Sequence, residues 1–172
     1  MQVVKAPDLK LRIKTKPIKK VTPELLKTAA EMVKLTESFK DPEGVGLAST
    51  QVGRDEKFFI AKSGKKFIIC FNPHILSYSP KKKTYFEGCL SIPNIWGETE
   101  RSTFITVKYE DEKGKKITKK LQGTDAWIFQ HEMDHLNGTL FIDHVLKQKG
   151  KIYKTVGKDK AGSDIFEPVK LL

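Results

Sequence analysis

The chain has 172 residues, enough for one domain with a substantial core and too few for two comfortable ones. Its 32 Lys and Arg against 21 Asp and Glu give a formal net charge of +11, and only Arg12, Arg54 and Arg101 are arginines. No stretch approaches the ~18 consecutive apolar residues of a membrane span, and residues 1–7 carry no apolar leader core. The expected location is therefore the cytoplasm, or an organelle if a transit segment has been removed. Partners bearing phosphate, such as RNA or a ribosome surface, are electrostatically welcome, although a lysine-heavy surface also serves solubility alone.

Residues 1–20 read as extended and basic, punctuated by Pro7-Asp8 and Pro17. Thr22-Pro23-Glu24 starts a helix: a capping hydroxyl, proline at the first helical position, then an acid for the dipole. Leu25, Leu26, Ala29, Met32, Val33, Thr36 and Phe39 recur at helical spacing, so one face of this N-terminal amphipathic helix covers a sheet. Residues 41–44 end it. The stretch 44–53 is rich in small residues that let backbone approach something closely. It is no dinucleotide fingerprint, because no strand precedes it and its third glycine is misplaced, and it lacks the Gly-Lys-Ser/Thr of a phosphate loop.

Beta structure follows. Residues 57–62 and 67–71 form a hairpin across Ser63-Gly64. Tyr85-Phe86-Glu87 leads into Gly88-Cys89. Residues 103–109 and 115–121 alternate apolar and polar side chains around 111–114, a second hairpin. Cys70 lies in a core strand as a small buried hydrophobe, whereas Cys89 lies in a polar, turn-like setting. A disulfide between them is open on count alone, but a reducing compartment argues against it. A helix runs over 124–137, started by Thr124 and Asp125 and stopped by Asn137-Gly138. Residues 141–145 are a last strand or a helical turn, and 147–172 are lysine-rich. The fold class is α+β: short antiparallel sheets packed around a central metal-binding helix, with the N-terminal amphipathic helix outside.

That central helix carries His131-Glu132-Met133-Asp134-His135. Two histidines four apart share one helical face, so both imidazoles reach a single metal ion. Glu132 leans over the same site and can accept a proton from water. The alternative is a pair of core histidines with backbone partners. A catalytic metal site takes three protein ligands and keeps one position open. Six residues past His135 stands Phe141, which binds no metal. His144, Asp143 and Glu167 remain open downstream, and Cys89 upstream.

Three segments taken together, 44–51, 87–91 and 131–135, resemble peptide deformylase, whose Gly-φ-Gly-φ-Ala-Ala-x-Gln, Glu-Gly-Cys-φ-Ser and His-Glu-x-x-His motifs occur in this order. The likeness extends to about residue 146 and includes Pro7-Asp8 and Leu11-Arg12. It implies a single catalytic domain over 1–146, with 147–172 a basic C-terminal tail of undetermined order. It implies that Cys89, His131 and His135 bind the metal and that Glu132 is the acid/base. Gln51, through its amide, and Leu90, through its backbone N–H, hold the oxyanion. Gly46 offers backbone to the substrate. Val45, Ile128 and the His131 ring line a methionine pocket, and Glu87 is grouped with the substrate-binding residues. The implied substrate is the N-formylmethionyl end of a nascent peptide, and the implied ion is Fe²⁺, with Zn²⁺, Ni²⁺ or Co²⁺ able to replace it. The donor set alone would suggest zinc. A monomer is expected, with ribosome contact through the basic tail and no membrane partner.

The sequence departs from the family pattern at Ser49, where alanine is preferred, and at Trp96, where many bacterial members carry a basic residue. Ile128 stands where some have cysteine, and Asn94 replaces a commoner small or acidic residue. These bear on peptide preference rather than on the reaction. Arg101 lies twelve residues past Cys89 and is expected to pair with Glu87 or Asp134, holding the Cys89 loop against the helix. Two rival readings are a zincin-type metallopeptidase with a downstream ligand, and a basic RNA- or ribosome-binding protein with a structural metal.

Overall fold

The computed structural model describes residues 1–170. A short 3₁₀ turn at Leu9–Arg12 is followed by helix α1 (Pro23–Ser38), and strand β1 (Gly46–Ala48) leads into a second 3₁₀ turn at Ser49–Val52. Strands β2 (Phe58–Ser63), β3 (Lys66–Tyr78), β4 (Lys82–Cys89), β5 (Ile92–Ser102), β6 (Phe104–Glu110) and β7 (Lys116–Gln122) then lead to helix α2 (Gly123–Leu136). Helix α3 (Phe141–Gln148) and strands β8 (Ile152–Lys158) and β9 (Asp164–Pro168) complete the order. All named strand pairs are antiparallel and form two sheets, β1-β2-β3-β6-β7 and β4-β5-β8-β9. Among the described residues, no helix is long and apolar enough to cross a membrane.

The five-stranded sheet is covered on both faces, which is why β2 reads as a continuous apolar run rather than an alternation. Phe58 and Ile60 pack with Leu25, Ala29 and Met32 of α1. Phe59 and Ala61 point the other way, to Ala126, Ile128 and Phe129 of α2. The period of two along one strand thus allots each residue to one of two cores. Phe59 meets Phe129 edge-on, with ring centroids 4.8 Å apart. Helix α1 begins as its residues dictate: Thr22 accepts a hydrogen bond from the Leu25 N–H, with Pro23 in the first turn. Strand β3 runs seven residues beyond its apolar stretch, past an irregularity at Asn72, whose amide bonds both the N–H and the carbonyl of Ile18 at 2.8 Å.

Several expectations are corrected. Helix α2 starts at Gly123, and its flanking residue Gln122 makes no side-chain cap. Asp125 instead accepts a hydrogen bond from the Ser63 hydroxyl at 2.7 Å, tying the helix to the end of β2. Of the two readings open for residues 141–145 the helical one holds, with Phe141 and Val145 buried one turn apart. The tail expected over 147–172 holds, in its described part up to residue 170, a hairpin of β8 and β9 that joins the second sheet beside β5; residues 171–172 lie outside the described residues. Phe86, Trp96, Tyr153 and Phe166 form an aromatic cluster that anchors it, and lysine content conceals this in the sequence. Both cysteines are free thiols, and Cys70 is fully buried as its strand requires.

Candidate active site

Cys89 is the last residue of β4, where the β4–β5 register shifts and the chain turns back at Leu90 and Ser91. His131 and His135 face it from consecutive turns of α2, their ring centroids 5.1 Å apart. One ligand atom from each of Cys89, His131 and His135 lies within 4.8 Å of the others, and this is the only such gathering among the described residues. Cys89 Sγ stands 3.3 Å from His135 Nε2. A tetrahedral ion about 2.3 Å from sulfur and about 2.0–2.1 Å from nitrogen places such donors roughly 3.5 Å apart, so the set fits a single ion. The downstream alternatives are engaged elsewhere. Asp143 pairs with Arg12 and caps α3 through the Leu140 N–H, His144 sits 2.9 Å from Asp134, and Glu167 lies beside Lys154 on the terminal hairpin.

Burial alone would push the Cys89 thiol up, but the charge of His135 and hydrogen bonds from His131 and His135 bring it well below its ordinary range. The thiolate is the form that ligates metal. Two further donors turn toward that sulfur at 3.4 Å, the Gln51 side-chain amide and the Ser91 backbone N–H. Gln51 is oriented by its other end, since its Oε1 accepts from the Ala48 N–H at 2.8 Å. The N–H side of the amide therefore faces Cys89 and Ser91.

Glu132 is 3 % exposed, and its Oε2 has no hydrogen-bond partner; His135 Nδ1 is likewise buried and unpartnered. Burial raises the Glu132 carboxyl to about 7, against the opposing pull of the two histidines. Gly46 lies directly on this carboxylate, and a Cβ there would collide with Glu132 Oε1. The need for close backbone approach explains glycine at this position.

Behind the imidazoles lies a buried ion-pair network. Arg101 donates in a fork to Glu87, Nε to Oε1 at 2.7 Å and one terminal nitrogen to Oε2 at 2.9 Å, while its other terminal nitrogen reaches Asp134. Glu87 Oε2 stands 2.9 Å from His131 Nδ1, and Thr99 donates to Oε1. Glu87 itself is fully buried. Burial opposes its charge, but Arg101 and His131 hold its carboxyl far below the usual range. Arg101 thus joins β4 to α2, as its isolation among lysines suggested, and it engages both candidate partners at once.

A cavity of about 240 Å³ opens over the site, lined by Val45, Gly46, Gln51, Cys89, Leu90, Ile128, His131 and Glu132. Eight of the ten residues singled out from the sequence therefore border one space. His135 lies beneath it at 1 % exposure. Glu87 does not border it, because both its oxygens are turned to Arg101, His131 and Thr99. Trp127, Pro42 and Glu43 also line the cavity and were not singled out. Trp127 stacks on Tyr85 with centroids 5.4 Å apart. Its signal was available: it lies one turn before His131, as Ile128 lies one turn before Glu132, so stepping back four residues from each site residue finds the cavity wall.

The family described as polypeptide deformylase matches residues 1–151. A curated peptide deformylase of Thermotoga maritima is 42% identical over 142 residues, covering 83% of this chain and 85% of that one. The crystal structure of peptide deformylase from Thermotoga maritima superposes with a TM-score of 0.78 at 40% identity, covering 83% of this chain and 95% of the other. A Met-ala-ser-bound class I type b peptide deformylase from Acinetobacter baumannii gives a TM-score of 0.76 at 30% identity, covering 84% and 97%.

Proposed function

We propose, from the premise that this chain belongs to the peptide deformylase family, a role for each residue of the site in removing the formyl group from newly made polypeptides. The enzyme is a metal-dependent hydrolase, and its products are formate and a free N-terminus. The observation that carries the residue-level reading is the gathering of Cys89, His131 and His135 beside the buried, unpartnered oxygen of Glu132.

Cys89, His131 and His135 hold one divalent ion, and the open side of the cavity leaves room for water and substrate. When bound, the ion acidifies a water molecule and polarises the formyl oxygen. Glu132 takes a proton from the water that attacks the formyl carbon, then hands it to the departing amine. A carboxyl near 7 is suited to both transfers. Negative charge grows on the formyl oxygen, where the Gln51 amide and the Leu90 N–H donate to it. One such donor contributes about 3 kcal/mol to the transition state. A carboxylate at position 51 would repel that charge, so an amide is required. Glu87 fixes the tautomer and orientation of His131 from behind rather than touching substrate, and Arg101 fixes Glu87.

Val45, Ile128 and the His131 ring form the walls for the methionine side chain, and Gly46 presents its backbone to the peptide. The Acinetobacter relative has a structure bound to Met-ala-ser, which supports a methionyl peptide as the ligand class of this chain. The soft sulfur with two imidazoles accommodates Zn²⁺, Ni²⁺, Co²⁺ or Fe²⁺, and Fe²⁺ is the native ion in this reading, on the family resemblance. The enzyme works as a cytoplasmic monomer. Its excess of positive charge draws it to the ribosome surface, through Lys147, Lys149, Lys151 and Lys160 near the C-terminal hairpin.

Formate release from formyl-Met-Ala-Ser, measured on anaerobically purified protein with metal analysis of the same sample, tests the reading. Turnover with one ion per chain supports it. Retention of activity by Glu132→Ala at wild-type metal content would defeat the role given to Glu132.

A further inference from the structure

The cavity over the metal site has an outer neighbour. A chamber of about 490 Å³ adjoins the inner space of about 240 Å³, and both are bordered by Pro42, Gly88, Cys89, Leu90 and Trp96. Its far side is built by Thr155, Gly157, Lys158 and Asp164 of the β8–β9 hairpin. All four lie beyond residue 151, where the family match ends.

The partition between the chambers is Trp96, and it is held firmly. Its indole N–H donates to the Thr155 hydroxyl at 3.1 Å. Its ring stacks on Phe86 at 5.4 Å and 6°, and Phe166 meets both rings edge-on, at 5.1 Å and 5.6 Å. On the inner side it lies so close to the backbone of Gly88 that a Cβ there would stand 2.9 Å from the ring. Phe39, Ile92, Pro93 and Ile95 give the outer chamber an apolar wall, interrupted by Asn94. Lys158 bridges Asp41 and Asp164, while the Lys5 ammonium donates to the neutral Leu90 carbonyl at 2.5 Å and stands 5.8 Å from the centre of the Phe39 ring.

We propose that the C-terminal hairpin is a specificity element of the deformylase reaction, forming with Trp96 a groove that takes the third and later residues of the substrate and favours apolar side chains there. The inference rests on the deformylase reading. A peptide whose formyl end lies at Leu90 and Glu132 leaves the inner cavity across the shared rim, and the apolar chamber lies on that rim. Lys158, Asp41 and Asp164 are paired with one another and Lys5 is held by the Leu90 carbonyl against Phe39, so the apolar side chains of the wall are the surface that gains most on contact, by removing area from water.

The test compares kcat/KM for formyl-Met-Ala, formyl-Met-Ala-Phe-Leu and formyl-Met-Ala-Asp-Asp. In the wild type, the Phe-Leu peptide exceeds the dipeptide about tenfold, carried by KM, and the Asp-Asp peptide does not. Thr155→Trp, which fills the chamber, and Phe166→Ala, which loosens Trp96, bring the ratio of Phe-Leu peptide to dipeptide to within about twofold of unity. Thermal midpoints are recorded for both variants. A purely structural role for the hairpin lowers both peptides together and leaves the ratio intact, which overturns the proposal, as does a wild-type ratio near one. Absence of formate from all three peptides overturns the deformylase reading itself and is distinct from either result.

Discussion

Glu132 illustrates how much one buried atom can carry. It sits at 3 % exposure with an oxygen no protein group satisfies, a placement that costs stability unless a ligand or reaction uses it. Glu132→Gln is expected to lower kcat by about 10²–10⁴-fold while metal content, read on the same sample, stays near one per chain. In the metal-free protein its folded value of about 7 lies above the ordinary 4.5. The folded state therefore holds the proton more tightly than the unfolded chain, and this group's contribution to stability is fully present below pH 4.5 and lost as pH rises through 7. The permanently neutral Gln variant lacks that loss. Between pH 5 and pH 8 the metal-free variant should gain stability relative to wild type in urea unfolding, and parallel pH dependences would contradict the burial argument. Gly46 makes the complementary case from the backbone. Gly46→Ala forces a Cβ into Glu132 Oε1, so formate release should fall sharply, and overpacking of the buried carboxylate should lower the thermal midpoint as well. Arg101 acts at one remove. Lysine in its place cannot span Glu87 in a fork and reach Asp134 as well, so Arg101→Lys should weaken metal affinity about 10–100-fold, measured by chelator competition. The surface control Lys66→Ala should leave it unchanged.

Helix α2 and strand β5 differ in how openly their sequences declare them. Helix α2 was legible because its buried face and its two histidines share one helical spacing. The β1–β2–β3 and β6–β7 strands were legible because their alternation or apolar runs match the faces they bury. Strand β5 was not. Its inward residues Thr99 and Arg101 are polar, and they are satisfied by Glu87 of the facing strand rather than by an apolar core. Hydrophobic patterning is silent about a pair of strands whose interior is an ion-pair network. The start of α2 was misplaced for a related reason: Asp125 looks like a cap, but its carboxylate is spent on Ser63. Glu87 was grouped with the substrate-binding residues because its motif adjoins the site, and only the position of Arg101 in space shows which way it turns. Beneath β5, helix α3 leaves no room at Gly97, where a Cβ would stand 2.5 Å from Val145 and 3.2 Å from Phe141. Gly97→Ala should destabilise the protein by about 1–3 kcal/mol through overpacking, read as a lowered denaturation midpoint.

In the proposed reading the whole molecule joins two sheets through one metal centre. The five-stranded sheet carries α2 on one face, and the second sheet delivers Cys89 from the end of β4. With Cys89, His131 and His135 as the ligands, neither part holds a complete set alone; metal binding would then couple to the docking of the two sheets, and removing the ion should lower the thermal midpoint. The net charge of +11 sets long-range attraction to phosphate-bearing partners and its decay with salt, without bearing on the fold. X-ray absorption at the metal edge of anaerobically purified protein is the most direct measurement of the coupling. The coordination set argued for here gives one sulfur scatterer at about 2.3 Å and two imidazoles at about 2.0–2.1 Å, with the sulfur signal absent in Cys89→Ser. A shell of nitrogen and oxygen alone in the wild type would contradict it.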